Sequence, residues 1–79
     1  MFKASLFPNP ARAMVMLQLE GNHGAYEVNM FDMTGKEVIS LQGTNESMEL
    51  PLTGIEAGIY MVRITTASGN TEVLRLAVE

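Results

Sequence analysis

His23 is the single histidine of the chain, and it sits in a stretch of turn composition, Gly21-Asn22-His23-Gly24. One isolated imidazole supports neither a nucleophile–base pair nor a multi-histidine metal site, so the residue reads as a solvated loop side chain. Cysteine is absent, which removes thiolate nucleophiles, thiolate metal sites and disulfides together. The carboxylates of Glu20, Glu27, Asp32, Glu37, Glu46, Glu49, Glu56, Glu72 and Glu79 are spread singly along the chain. Acid–base chemistry needs two of them to converge, and their spacing gives no hint of it. Gly35-Lys36 looks like the end of a phosphate loop, but the upstream glycine is missing and Glu37 stands where Ser or Thr is needed. A hairpin turn is the better account. Asn45-Glu46-Ser47 fits a glycosylation sequon, a pattern that chance supplies often. Met30 and Met48 fall at core positions, where thioethers fill irregular gaps. Met14, Met16 and Met61 fall on outward positions, where a soft apolar patch could meet a partner. These residue types point away from an enzyme, a cofactor and a metal centre.

The elements that must position these residues are strands. Apolar and polar residues alternate with a period of two nearly everywhere, and no segment carries a convincing helical period. The first candidate is Lys3 to Phe7, stopped by Pro8-Asn9-Pro10, in which two prolines remove two backbone donors and make a rigid corner. Met14 to Glu20 follows, with Val15, Leu17 and Leu19 on one face. Tyr26, Val28 and Met30 alternate up to Phe31. Asp32-Met33-Thr34-Gly35 is the sharpest turn signal, since Asp caps a turn with its carboxylate and Gly accepts positive φ. Lys36 to Gln42 is then the return strand of a hairpin. Gly43-Thr44-Asn45 breaks that strand, and Met48, Leu50 and Leu52 begin another, with Pro51 marking an edge or an end. Tyr60, Val62 and Ile64 alternate after a short loop, Ala67-Ser68-Gly69-Asn70 turns the chain, and Thr71 to Val78 closes it. Seven short strands with a turn signal about every ten residues predict an all-β fold, a seven-stranded antiparallel Ig-like β-sandwich forming a single domain over residues 1–79.

Composition narrows the partners. The net charge is −4, with no block of either sign, so a basic footprint for nucleic acid or anionic lipid is missing. All apolar runs are too short for a transmembrane helix. Lys3 is the only charge before Pro8, and Pro8 and Pro10 interrupt the short apolar stretch, which does not read as a signal peptide. If the protein is exported, its leader is expected on a longer precursor of which this chain is a piece. Small sandwiches leave strand edges open, so self-association through an edge strand is a further expectation.

Read together, the turn signals form a second pattern. Leu6-Phe7-Pro8-Asn9-Pro10-Ala11 comes first, then Val28-Asn29-Met30-Phe31-Asp32-Met33-Thr34-Gly35-Lys36-Glu37-Val38. Leu52-Thr53-Gly54-Ile55-Glu56-Ala57-Gly58-Ile59-Tyr60-Met61-Val62-Arg63-Ile64 and the closing strand from Thr71 to Val78 complete it. These four blocks, in this order, resemble type A C-terminal sorting domains of the Bacteroidetes type IX (Por) secretion system. Asn9, between its prolines, and Lys36, after Asp32 and Gly35, belong to the resemblance. Physical reasons that hold without the family are that Pro8 and Pro10 fix where the first strand leaves its sheet and that Asp32 and Gly35 set the hairpin register. Gly58 is expected to allow close backbone approach, and Tyr60 to insert a ring with a polar tip.

The resemblance implies a non-catalytic signal that takes cargo from the periplasm to the outer membrane, cell surface or medium. Its implied partners are the translocon and a sortase-like peptidase that removes the domain and can attach cargo to lipopolysaccharide. The terminal run Arg75-Leu76-Ala77-Val78-Glu79 is the part such machinery would read, and Glu79 stands where the family often has a basic residue. A retained cell-surface adhesion, lipopolysaccharide- or carbohydrate-binding module on the same sandwich is the alternative.

Overall fold

The structure is a computed structural model that describes residues 2–21 and 24–79; Asn22 and His23 lie outside the described residues. The described chain forms seven strands, β1 (Lys3–Phe7), β2 (Met14–Glu20), β3 (Tyr26–Phe31), β4 (Glu37–Gly43), β5 (Ser47–Pro51), β6 (Gly58–Thr66) and β7 (Thr71–Val78). They make a three-stranded sheet in the order β1-β2-β5 and a four-stranded sheet in the order β4-β3-β6-β7, with all strand pairs antiparallel. The all-β sandwich that the period of two predicts is therefore the fold observed, consistent with an Ig-like architecture. Among the described residues no helix is long and apolar enough to cross a membrane.

Alternation decides what each strand buries, because successive side chains point to opposite faces. Val15, Leu17, Leu19 and Leu50 of the smaller sheet meet Tyr26, Val28, Met30, Tyr60, Val62, Ile64 and Leu76 of the larger one, all of them buried. Phe2 and Ala11, outside the strands, also enter this core. Met48 packs at its margin, so both methionines read as core filler lie where the alternation puts them. The three outward methionines do not form one patch. Met14 and Met16 are on β2 of the smaller sheet and Met61 is on β6 of the larger, so the two groups face opposite sides of the sandwich.

Strand ends differ from the sequence reading where a side chain or a partner strand competes for the backbone. The return strand starts at Glu37 rather than Lys36, because Lys36 N–H donates to Asp32 Oδ1 at 3.0 Å and its carbonyl accepts from Asp32 N–H at 2.9 Å. β6 begins at Gly58, before Tyr60, because Gly58 and Ile59 pair with Val78 and Ala77. Gly43 is the last residue of β4 instead of a break after it, because it pairs with Tyr26; an added Cβ there would lie 2.5 Å from the flexible end of Met48, Cε, and 3.0 Å from the Tyr26 hydroxyl.

Candidate interaction surface at the terminal strand

The terminal strand β7 is an edge strand in the sheet order, yet most of its C-terminal half has neighbours on both sides. On the inner side, Leu76 pairs with Tyr60, Ala77 with Ile59 and Val78 with Gly58. On the outer side lies the proline corner. Asn9 Nδ2 donates to the Arg75 carbonyl at 2.9 Å, and Ala77 N–H donates to Asn9 Oδ1 at 3.0 Å. One primary amide thus takes the place of a strand residue, offering a donor and an acceptor to consecutive outward groups of β7. Beyond Pro10 the main chain takes over: Ala11 N–H donates to Ala77 O and Glu79 N–H to Ala11 O, each at 2.8 Å, making a parallel bridge of Ala11 to Val78. The peptide bonds into Pro8 and Pro10 are cis.

The corner therefore carries the chain from β1, in the smaller sheet, to the edge of the larger one. Proline suits the task because neither Pro8 nor Pro10 has an N–H that would need a partner on the way. Arg12 Nε and Glu79 Oε1 add an ion pair at 3.5 Å, but both side chains are largely exposed, so it contributes little.

Leu76 and Val78 are anchored in the core, whereas Arg75 and Glu79 are exposed, Ala77 is half-buried and Val73 is 50% exposed. Among these, only the outward side chains remain for a partner to read. Tyr60 lies beside Leu76 and is itself 7% exposed, its hydroxyl donating to the Glu56 carbonyl at 2.6 Å. The expected close approach at Gly58 is not found. Its φ is 158°, and an added Cβ would meet only Tyr60 Cε1 at 3.8 Å, an ordinary contact. Gly43 is the glycine with the tightest surroundings, against the flexible end of Met48 and the Tyr26 hydroxyl, and only the placement of those two residues reveals it.

The hairpin turn is held by one carboxylate. Asp32 Oδ1 accepts from Thr34 N–H at 2.9 Å, Thr34 Oγ1 at 2.6 Å and Lys36 N–H at 3.0 Å, while Gly35 takes a φ of 91°. The Thr34 hydroxyl, and after it the Lys36 amide, hold the Asp32 carboxyl below the usual carboxylate range. Lys36 itself is exposed. This turn and Tyr60 line one shallow pocket with Val38, Gly54, Ile55 and Glu56. The structure thus brings Pro8–Pro10, Gly58 and Tyr60 onto the terminal strand, and sets Asp32, Gly35 and Lys36 at the far side of Tyr60. At the opposite end of β3, the Tyr26 hydroxyl donates to Asn45 O at 2.7 Å, and burial raises its pKa.

Two features were not legible beforehand. Ala11 is fully buried and joins β7, a pairing across 67 residues for which its neighbours give no signal. Asn29, in an outward register, is only 5% exposed. Its Nδ2 donates to Glu37 Oε2 at 3.0 Å and lies 3.4 Å from Ser40 Oγ, while its buried Oδ1 has no partner. Arg63, its cross-strand neighbour, lies over the Phe31 ring at 4.9 Å. Among the described residues no group of three or more His, Asp or Glu side chains could hold a metal ion.

Two solved structures from Porphyromonas gingivalis share the fold. One is PorZ, an essential bacterial surface component of the type IX secretion system, at a TM-score of 0.82 and 21% identity. The other is dimeric latent PorU, at 0.78 and 24%. The chain is covered over 96% and 98% of its length, but spans only 11% and 9% of those two proteins. No curated protein matches the chain at a significant level. The model of the secretion system C-terminal sorting domain matches residues 5–79, nearly the whole chain, from the proline corner's approach to the last residue of the terminal run. The chain belongs to the family of secretion system C-terminal sorting domains.

Proposed function

We propose that this domain directs a preceding cargo from the periplasm across the outer membrane through the type IX system, and that a translocon component and a sortase-like peptidase read it as a folded module. Membership of the sorting family gives the sorting role and export toward the outer membrane or cell surface; the partners and the route are the proposal. The observation that carries it is the double pairing of the terminal strand, with Tyr60 and Ile59 on one side and Asn9 and Ala11 on the other. Residues 75–79 are not a loose tail. A reader of this run meets a face made by the outward side chains of Val73, Arg75 and Ala77, with Met61 beside Arg75.

The test is a periplasmic reporter fused ahead of residues 1–79 in a cell with a working type IX system. The wild-type fusion is expected at the surface or in the medium. Arg75→Glu, which alters an exposed side chain and no core contact, is expected to leave the fold intact and hold most of the reporter in the periplasm. Export unchanged by Arg75→Glu would remove this face as the recognition surface.

The adhesion or glycan-binding reading has less support. Such a module wants a row of exposed aromatic side chains. Phe2, Tyr26 and Tyr60 are buried, Phe31 lies under Arg63, and Phe7 is 48% exposed with no aromatic beside it on β2.

A further inference from the structure

The outer strands of the two sheets differ in how their edges are guarded. An open edge offers unpaired N–H and C=O groups, which proteins usually blunt with charge, proline or cover. β1 has five residues, with Lys3 at one end and Pro8 just past the other. β5 has five, with Glu49 near its middle and Pro51 as its last residue. Much of β7 is covered by Asn9 and Ala11. The fourth edge, β4, runs seven residues from Glu37 to Gly43, and from Val38 onward it holds neither a charge nor a proline.

The free groups of β4 follow from the ladder. In an antiparallel pair, opposed residues alternate between those that exchange both hydrogen bonds and those that exchange none. Ala77 turns its N–H and its carbonyl outward, to Asn9 and Ala11, so Leu76 bonds inward to Tyr60. The alternation then carries across the sheet: Met61 bonds to Phe31, and Met30 to Ile39. Ile39 and Leu41 are thus committed to β3, while Ser40 and Gln42 turn their N–H and C=O groups to the open side. No backbone hydrogen bond from another part of the described chain reaches them. Ile39 and Leu41 also face the core yet stay only half-buried, because no strand lies beyond β4.

We propose that β4 is a homotypic docking edge, pairing antiparallel with β4 of a second copy of this chain about a two-fold axis at Ser40. The run is self-complementary in this register. Ser40 meets Ser40, Ile39 of one copy meets Leu41 of the other, and Val38 meets Gln42, so no like charges are opposed. Glu37 falls opposite Gly43. The core layers of Ile39 and Leu41 become continuous across the two-fold, an isologous contact that closes on itself. A single strand pair buries little surface, so the association belongs to the weak class. The net charge of −4 on each copy opposes it, so added salt strengthens it. This inference is independent of the sorting role.

The absence of native cysteine makes the test clean. Three single-cysteine variants, Ser40→Cys, Glu49→Cys on β5 and Val73→Cys on β7, are oxidised mildly at equal concentration. A disulfide-linked dimer is expected from Ser40→Cys at roughly tenfold the yield of the other two, since facing residues of a strand pair fall within disulfide reach. In sedimentation equilibrium from about 10 μM to about 1 mM, the range of weak association, the wild-type average mass is expected to climb toward twice the monomer, more steeply in high salt. Ser40→Pro removes an outward N–H that β3 does not use and should hold the mass at the monomer. If circular dichroism shows that variant unfolded, Gln42→Pro, which removes the other outward N–H, supplies the same block. A wild type that stays monomeric throughout, equal cross-linking at all three positions, or a mass rise that survives a folded edge-blocked variant would each overturn the proposal.

Discussion

Asp32 shows how much a single side chain can decide. Its Oδ1 accepts from two backbone amides and a hydroxyl, and these bonds favour the charged form. A carboxyl whose folded pKa is depressed contributes stability above its unfolded pKa, near 3.9, and loses it as pH falls through the folded value. Acid titration of stability is therefore expected to drop below about pH 4, and Asp32→Asn is expected to flatten part of that drop, as measured by urea midpoints at successive pH values. Gly35, at φ 91°, is the second determinant of the turn. Gly35→Val places a β-branched residue in the left-handed region and is expected to cost about 1–3 kcal/mol in the same assay, with an unchanged slope. The Asp32 turn was legible in the sequence because its chemistry is local. The role of Gly43 was not. Its neighbours Met48 and Tyr26 come from other strands; the Met48 methyl can swing aside, so Gly43→Ala is expected to cost only about 1 kcal/mol, through the Tyr26 ring.

At the scale of elements, alternation set the strands and their buried faces, and prolines set two of their ends. Alternation could not say which strands neighbour one another. The pairing of Ala11 with Val78, and of Asn9 with Arg75 and Ala77, links residues 66 to 68 apart and exists only once the corner has carried the chain between sheets. Asn29 is the complementary case, an outward register position buried by its neighbours Glu37 and Ser40. The Asn9 clamp is testable through its own chemistry. Asn9→Ala removes two hydrogen bonds and is expected to cost about 1–2 kcal/mol. Asn9→Asp is isosteric but turns a second acceptor toward the Arg75 carbonyl, so it should cost at least as much. Equal stability of all three proteins in urea would show that the clamp contributes nothing. The strand is also poorly suited to truncation. Deleting Arg75–Glu79 removes Leu76 and Val78 from the core along with their pairing to Tyr60 and Gly58, and Leu76→Ala alone is expected to cost about 2–5 kcal/mol. Loss of export after that deletion would report unfolding as readily as lost recognition.

The whole molecule is a small sandwich with a Cα radius of gyration of 11.7 Å, built without a disulfide. A chain of this size has a stability of only about 4–12 kcal/mol, so each clamp above is a large share of the total. Two of the family's blocks meet at the terminal strand, Asn9 of the proline corner on one side and Gly58–Tyr60 on the other, while Asp32–Lys36 closes the β3–β4 hairpin. In the proposed function recognition is a property of the folded face, and the measurement that tests this most directly is surface delivery of a periplasmic reporter fused ahead of residues 1–79 in a type IX-competent cell, with the fold of the domain checked in parallel. Delivery by the wild-type domain, with its loss in the folded Arg75→Glu variant, is the predicted result. Retention of the wild-type fusion in the periplasm, with the domain intact and folded, would contradict the account.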